Sequence, residues 1–223
     1  MRLLELFSGT GSVGEVFQQH GWEVVSLDRD MPADIQCDIM DWDYASAYPP
    51  GHFDFVWASP PCTEYSIAKT VGVRKLEASD AVVQRTLDII RYFSPTYWAM
   101  ENPQTGLLKG RPFMSDLPYK DVDYCKYGMP YRKRTRLWNN IITFLPRPLC
   151  KHDCPATQPG ARRHSQIAQH GPSLKKDGTW APNSQSTTQL YRIPKELVLH
   201  LLQAVDADHY IEGNDHVIIN ISS

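Results

Sequence analysis

Leu3-Leu4-Glu5-Leu6-Phe7-Ser8-Gly9-Thr10-Gly11-Ser12-Val13-Gly14 is the stretch that decides the architecture. Leu3 to Phe7 has the length and apolar character of a buried strand, and a glycine turn follows at once. From Val13 to His20 the apolar positions take helical spacing, so the chain reads strand, tight turn, helix. The pattern continues downstream. Glu23 to Asp28 is a second strand, Cys37-Asp38-Ile39 closes a third, and Phe53 to Ala58 and Tyr97 to Met100 are two more. Between the last two, Ser79 opens a helix with Asp80 in its first turn. Its Val82, Val83, Leu87, Ile90 and Phe93 recur at helical spacing, and Pro95 ends it. Strands alternating with helices predict an α/β fold with a mostly parallel, doubly wound sheet. Ligands of such sheets lie beyond the carboxyl ends of the strands.

With 223 residues, 42% hydrophobic, 22% charged and a formal net charge of -2, the chain has the composition of a globular protein of one domain with at most a small appendage. No run of about 18 apolar residues exists, which argues against a membrane span. Glu5 interrupts the first apolar stretch and Gly9 follows, so a secretory signal is not expected and the protein should stay inside a cell. The small net charge conceals a division. Between Lys126 and Lys176 there are eleven Lys or Arg against the single acid Asp153, while the remainder holds twelve basic and twenty-four acidic residues. A basic third on an acidic body suits a protein that grips a polyanion with one face.

That basic third includes a change of texture. From Pro146 to Pro182 the chain has six prolines, three glycines and few aliphatic residues, which predicts a loop-dominated insert unable to fold without a metal, a partner or the main domain. A helix returns near Pro194, and the tail beyond Asp206 is acidic before a strand-like Val217 to Ile221. The expected division is therefore 1-145, a catalytic domain; 146-185, the insert; and 186-223, a helix and tail packing back on the first part.

Four motifs carry chemistry. The turn Phe7 to Ser12 lets backbone approach a ligand and leaves N–H groups free for an anion. Asp28, at the end of the next strand, stands where an acid receives ribose hydroxyls, and Asp38 could reach an adenine amino group. Ser59-Pro60-Pro61-Cys62 holds a thiol rigidly just past a strand, where nearby positive charge would lower its pKa and make it a nucleophile. Glu101-Asn102-Pro103 also follows a strand, so its carboxyl should share the rim with Cys62 and exchange a proton with a ring nitrogen. Arg132, Lys133, Arg134 and Arg136 form the densest basic cluster; in a strand, Arg134 and Arg136 share a face.

In this order and at these distances, residues 2 to 140 resemble the DNA cytosine-5 methyltransferases. FSGTGSVG resembles the S-adenosylmethionine loop, SPPC the catalytic Pro-Cys motif, ENP the usual Glu-Asn-Val, and RTRLW the Arg-x-Arg motif. The resemblance implies a Rossmann-like methyltransferase fold in a compact member of the family, with a much reduced target-recognition region. It implies that Cys62 attacks C6 of a flipped-out cytosine, Glu101 holds N3 and the amino group, and Arg134 and Arg136 stabilise the activated ring. It makes Phe7, Ser8, Gly9, Thr10, Gly11, Asp28, Arg29, Asp38, Ile39, Pro61 and Leu87 candidates for the cofactor pocket. Ser66, Asn102, Arg132, Lys133, Arg162 and Arg163 become candidates for contact with DNA. The chain departs from the pattern where Arg132 replaces a glutamine, Tyr131 looks inserted and Pro103 replaces valine. Leu190-Tyr191-Arg192-Ile193-Pro194 resembles the penultimate family motif, and Gly213-Asn214 its final one.

Double-stranded DNA is the implied partner, with a second subunit for target recognition as a further expectation, and no membrane. The location implied is cytoplasmic, with nucleoid or nuclear DNA. An RNA (tRNA) methyltransferase and a catalytically idle DNA-binding homologue are the alternatives. Five cysteines, an odd number without framework spacing, must each be core, ligand or nucleophile. Of these, Cys150 and Cys154 could bind zinc with His152, and with His164 or His170 beyond.

Overall fold

The computed structural model describes residues 1–157, 163–168, 173–174, 180–181 and 187–218. Its centre is a seven-stranded sheet: β1 (Arg2–Leu6), β2 (Glu23–Asp28), β3 (Ile35–Gln36), β4 (Phe55–Ala58), β5 (Tyr97–Pro103), β6 (Tyr119–Asp123) and β7 (Arg134–Asn139). Their order across the sheet is β3-β2-β1-β4-β5-β7-β6. β1 to β5 pair in parallel, and β7 runs antiparallel to both β5 and β6. The direction of winding reverses between β1 and β4, so a crevice opens where their carboxyl ends diverge. This is the mostly parallel, doubly wound α/β arrangement that the alternation of strands and helices predicts.

Helices cover both faces because the strands are apolar on both. α1 (Gly14–Gln19) and α5 (Lys195–Ile218) bury Val16, Phe17, Leu197 and Leu201 against Leu3, Trp57, Ala99 and Leu137. On the other face, α3 (Leu76–Phe93) packs Val83, Leu87 and Ile90 against Leu4, Val56, Met100 and Trp138. The short α2 (Tyr44–Ala47) lies between β3 and β4, and Arg85 from α3 donates to the Trp42 carbonyl at 2.8 Å just before it. In the insert, β8 (Ser173–Leu174) and β9 (Trp180–Ala181) pair antiparallel, and α4 (Thr187–Tyr191) precedes α5. No helix among the described residues is long and apolar enough to cross a membrane.

Boundaries shift where long-range pairing outweighs local signals. α3 starts at Leu76, not Ser79, because Leu76 packs on the core and Glu77 suits the first turn; Ser94, left-handed at φ 45°, stops it before Pro95. β5 continues to Pro103 because β7 pairs with it from Ala99↔Asn139 to Pro103↔Thr135. The strand-like reading of the tail is corrected at its start: Val217 and Ile218 close α5, and positions 219–221 lie outside the described residues. Gly213-Asn214 likewise falls inside α5, where helix formation carries across a single glycine instead of turning.

Candidate active site

The crevice at the carboxyl ends of β1, β2, β4 and β5 is a cavity of about 480 Å³. One part of its wall is built by the turn after β1. Phe7, a non-glycine residue at φ 58°, reverses the chain, and Gly9 at φ 53° takes a conformation glycine adopts at little cost. Gly9 N–H donates to the Asp28 carboxylate at 2.8 Å, tying the turn to the end of β2. The other Asp28 oxygen accepts from the backbone N–H of Asp30 and Met31, each at 2.9 Å. Phe7, Ser8, Gly9, Thr10, Asp28, Arg29, Asp38, Ile39 and Pro61 all line the cavity. Thr10 Oγ1 is buried there without a hydrogen-bond partner among the described residues. Gly11 is in the same turn, its N–H bonded to the Ser8 carbonyl at 2.8 Å, and is not itself part of the wall.

Beneath this turn lies an acid that the motifs did not single out. Glu5 is 2% exposed, lines the cavity floor, and accepts from Gly14 N–H at 3.0 Å. Burial, only partly opposed by hydrogen bonds from Gly14 and Val13, raises its pKa to about 7.

Another part of the wall holds Cys62, Glu101 and Lys133. The Pro-Cys segment is clamped at several points. Ser59 N–H donates to the Leu6 carbonyl at 3.2 Å, Tyr65 N–H to the Cys62 carbonyl at 3.1 Å, and Asn102 Nδ2 to the Pro60 carbonyl at 2.9 Å. Beyond it, Arg74 donates to the carbonyls of Glu64, Ser66 and Lys69, closing a compact loop that carries the exposed Ile67, Val71 and Val73. Glu101, 5% exposed, accepts from the Tyr124 hydroxyl at 3.0 Å and lies 3.5 Å from Lys133 Nζ, both at Oε1. Burial first and Glu101 second push the Cys62 thiol up, and Lys133 pulls it down. The net shift is upward, against the expectation of an activated thiolate, because burial and the Glu101 charge together outweigh the pull of Lys133.

The structure does not bring Arg134 and Arg136 to this cavity. They share a face of β7, as alternation requires, but it is the face of Asn102, Asp121 and Asp123; Glu101 stands opposite Leu137, on the other face. There each arginine forms a two-pronged pair, Arg134 with Asp123 at 3.1 and 2.8 Å and Arg136 with Asp121 at 2.8 and 3.0 Å. Lys133, one residue out of phase with them, is the cation that meets Glu101. Two further corrections concern burial. Asn102, a candidate for DNA contact, is 1% exposed and braces Pro60. Leu87, a candidate for the cofactor pocket, is a core residue of α3 at 4% exposure, and Val82 from the same helix reaches the wall instead. Ser66 is held within the Arg74 loop, its hydroxyl accepting from Ala68 N–H at 3.2 Å.

Tyr191 and Ile193 complete the wall, and Ile193 N–H donates to Ser12 Oγ at 3.1 Å. The LYRIP motif was the signal for them. Of the basic candidates, Arg132 and Arg163 are exposed, while Arg162 lies outside the described residues. Cys150 and Cys154 do come together, but with Cys125 and His164; His152 is not part of that group, and His170 lies outside the described residues.

No family model matches the chain. A protein of Frog virus 3 (isolate Goorha) named "Probable DNA (cytosine-5)-methyltransferase" is 34% identical over 220 residues, spanning 91% of this chain and 99% of its own. Among solved structures, an E. coli protein described as a "putative DNA modification methyltransferase encoded within prophage Cp" has a TM-score of 0.49 and 14% identity over 67% of this chain, which spans 52% of its length. With a third of its residues shared with the viral protein across nearly the whole of both sequences, this chain belongs to the DNA (cytosine-5)-methyltransferase family.

Proposed function

We propose that this protein transfers a methyl group from S-adenosylmethionine to C5 of a cytosine in double-stranded DNA, through a covalent bond between Cys62 and C6 of an everted base. The observation that carries this reading is that Cys62, Glu101 and Lys133 face the same cavity as the glycine turn and Asp28.

The residues fit the methyl donor. Thr10 Oγ1 is a buried hydroxyl on the wall without a partner among the described residues, Asp28 and Asp38 supply acids for ribose and adenine, and Phe7, Ile39 and Val82 supply apolar surface. Bound there, S-adenosylmethionine supplies an electrophilic methyl group. Glu5, below the turn, is placed to balance its positive charge. On the other side, the Cys62 thiolate would add to C6 while Glu101 holds a proton at N3, which makes C5 nucleophilic toward the donor's methyl carbon; the C5–methyl bond would form as the donor's sulfur leaves as a neutral thioether. Transfer of the C5 proton to solvent water would then let the C6–sulfur bond break, releasing the Cys62 thiolate and restoring the aromatic ring. Lys133 favours the thiolate and limits the cost of a second negative charge beside Glu101. Extruding the base costs a few kcal/mol, which phosphate contacts from the basic segment help to offset.

Transfer from labelled S-adenosylmethionine to duplex DNA, scored beside tRNA, tests the reading. Label at cytosine in duplex DNA, absent with Cys62→Ser, is expected; label in tRNA alone, or full transfer by Cys62→Ser, overturns it.

A further inference from the structure

The geometry points to a structural zinc site formed by Cys125, Cys150, Cys154 and His164, which fastens the loop-rich insert to the catalytic sheet. The four ligand atoms all lie within 4.8 Å of one another. In a tetrahedral site with Zn–S of about 2.3 Å and Zn–N of about 2.0 Å, ligand atoms stand about 3.5–3.8 Å apart. Cys150 Sγ and His164 Nε2 are 3.5 Å apart. All three cysteines are free thiols, so no disulfide competes for the sulfurs.

Burial makes the same case from the other side. Cys125, Cys150 and Cys154 are 3%, 4% and 6% exposed and form a buried cluster of their own, with Ala156 the one hydrophobic residue packed against it among the described residues. Three thiols and one methyl group offer too little apolar surface to order the turns around them. A metal supplies what the hydrophobic effect does not.

The surrounding backbone is shaped for sulfur ligation. His152, at φ 66°, turns the chain between Cys150 and Cys154, and its N–H donates to Cys150 Sγ at 3.3 Å. Thr157 Oγ1 lies 3.3 Å from Cys154 Sγ, and Thr157 pairs with His164 in an isolated bridge. Such outer contacts orient ligands and spread their charge. Binding releases three thiol protons and oxidises nothing, and it leaves a net charge of -1 on the centre. Lys126 and Arg134 both act electrostatically on Cys150 and so offset that charge.

The site also has a structural consequence. Cys125 follows Tyr124, the hydrogen-bond donor to Glu101, and Cys150 N–H donates at 2.9 Å to Asp123, the partner of Arg134. The ion would therefore join the insert to the segment between β6 and β7.

The test uses the full chain. Purified without added chelator, it should carry about one zinc per chain by elemental analysis, and cobalt(II) exchanged for the zinc should show the intense visible bands and sulfur charge transfer of tetrahedral thiolate ligation. Cys150→Ser and His164→Ala should lose the metal, whereas His152→Asn and Cys37→Ser should keep it. Absence of zinc, an octahedral cobalt spectrum, a disulfide among the three cysteines in protein prepared under reducing conditions, or metal lost by His152→Asn and kept by His164→Ala each overturns the proposal. If the ligand variants fail to fold, the cobalt spectrum of the unaltered chain decides alone.

Discussion

Lys133 is the residue whose placement changes the chemistry most. It stands 3.5 Å from Glu101 and acts on Cys62, whereas the neighbouring arginines are committed to Asp121 and Asp123. Removing its charge raises the Cys62 pKa further, so the rising limb of the transfer rate against pH should move to higher pH in Lys133→Ala. The rate at neutral pH should fall by about 10- to 100-fold, or about 1.4–2.7 kcal/mol. Lys133→Arg should restore most of it; an unmoved profile in Lys133→Ala would remove the lysine from the mechanism. Glu5 makes a second prediction at this scale. Its folded pKa of about 7 lies above the ordinary 4.5. The protonated acid therefore favours folding fully below pH 4.5, and that contribution is lost as pH rises through about 7. A cationic ligand favours the ionised form, so S-adenosylmethionine should bind more tightly as pH rises toward and through about 7, with release of a proton. Calorimetry in buffers of different ionisation enthalpy measures that proton directly; Glu5→Gln should abolish its release, and equal heats in all buffers for the unaltered chain would contradict the assignment.

Among elements, the join of β1 to α1 leaves no room for a side chain at Gly14. A Cβ on Gly14 would lie 2.5 Å from Glu5 Oε2 and 3.0 Å from Val24 Cγ1. Relief would require the Glu5 carboxyl to leave the Gly14 N–H it now accepts from. Gly14→Ala should therefore cost about 1–3 kcal/mol in chemical denaturation, and an unchanged midpoint would show that strand and helix are not so closely packed. Local sequence revealed this join well, because strand, glycine turn and helix each leave a periodic trace within a dozen residues. It revealed β6 poorly. Tyr119-Lys120-Asp121-Val122-Asp123 is polar on alternate positions, and its acids Asp121 and Asp123 pair with the arginines of β7. Without that pairing, the arginines looked available to a substrate and the boundary of β5 fell three residues short. The Glu101 carboxyl could be placed on the rim from its strand, but which basic neighbour faces it depends on a one-residue phase that only the sheet register settles.

At the scale of the whole molecule, the contrast between a basic third and an acidic body is partly spent inside the fold. Lys126, Lys133, Arg134, Arg136 and Arg147 all pair with acids. Arg132, Lys151 and Arg163 remain exposed. Alanine at each of these three should weaken DNA binding alike across sequences and lower the slope of affinity against salt by about 1 apiece, whereas Arg136→Ala should lower stability and leave the slope alone. A slope that responds to Arg136 and not to the other three would reverse this picture of the surface. What joins every scale is the thiol of Cys62 and the bond proposed for it. The direct measurement is incubation with duplex DNA carrying 5-fluorocytosine, whose fluorine cannot leave C5 as the proton does, so that turnover halts at the bonded stage. A denaturation-resistant complex that requires S-adenosylmethionine and maps to Cys62 by peptide mass is the predicted result; methyl transfer to ordinary cytosine without any such complex, or a complex at another cysteine, would contradict it.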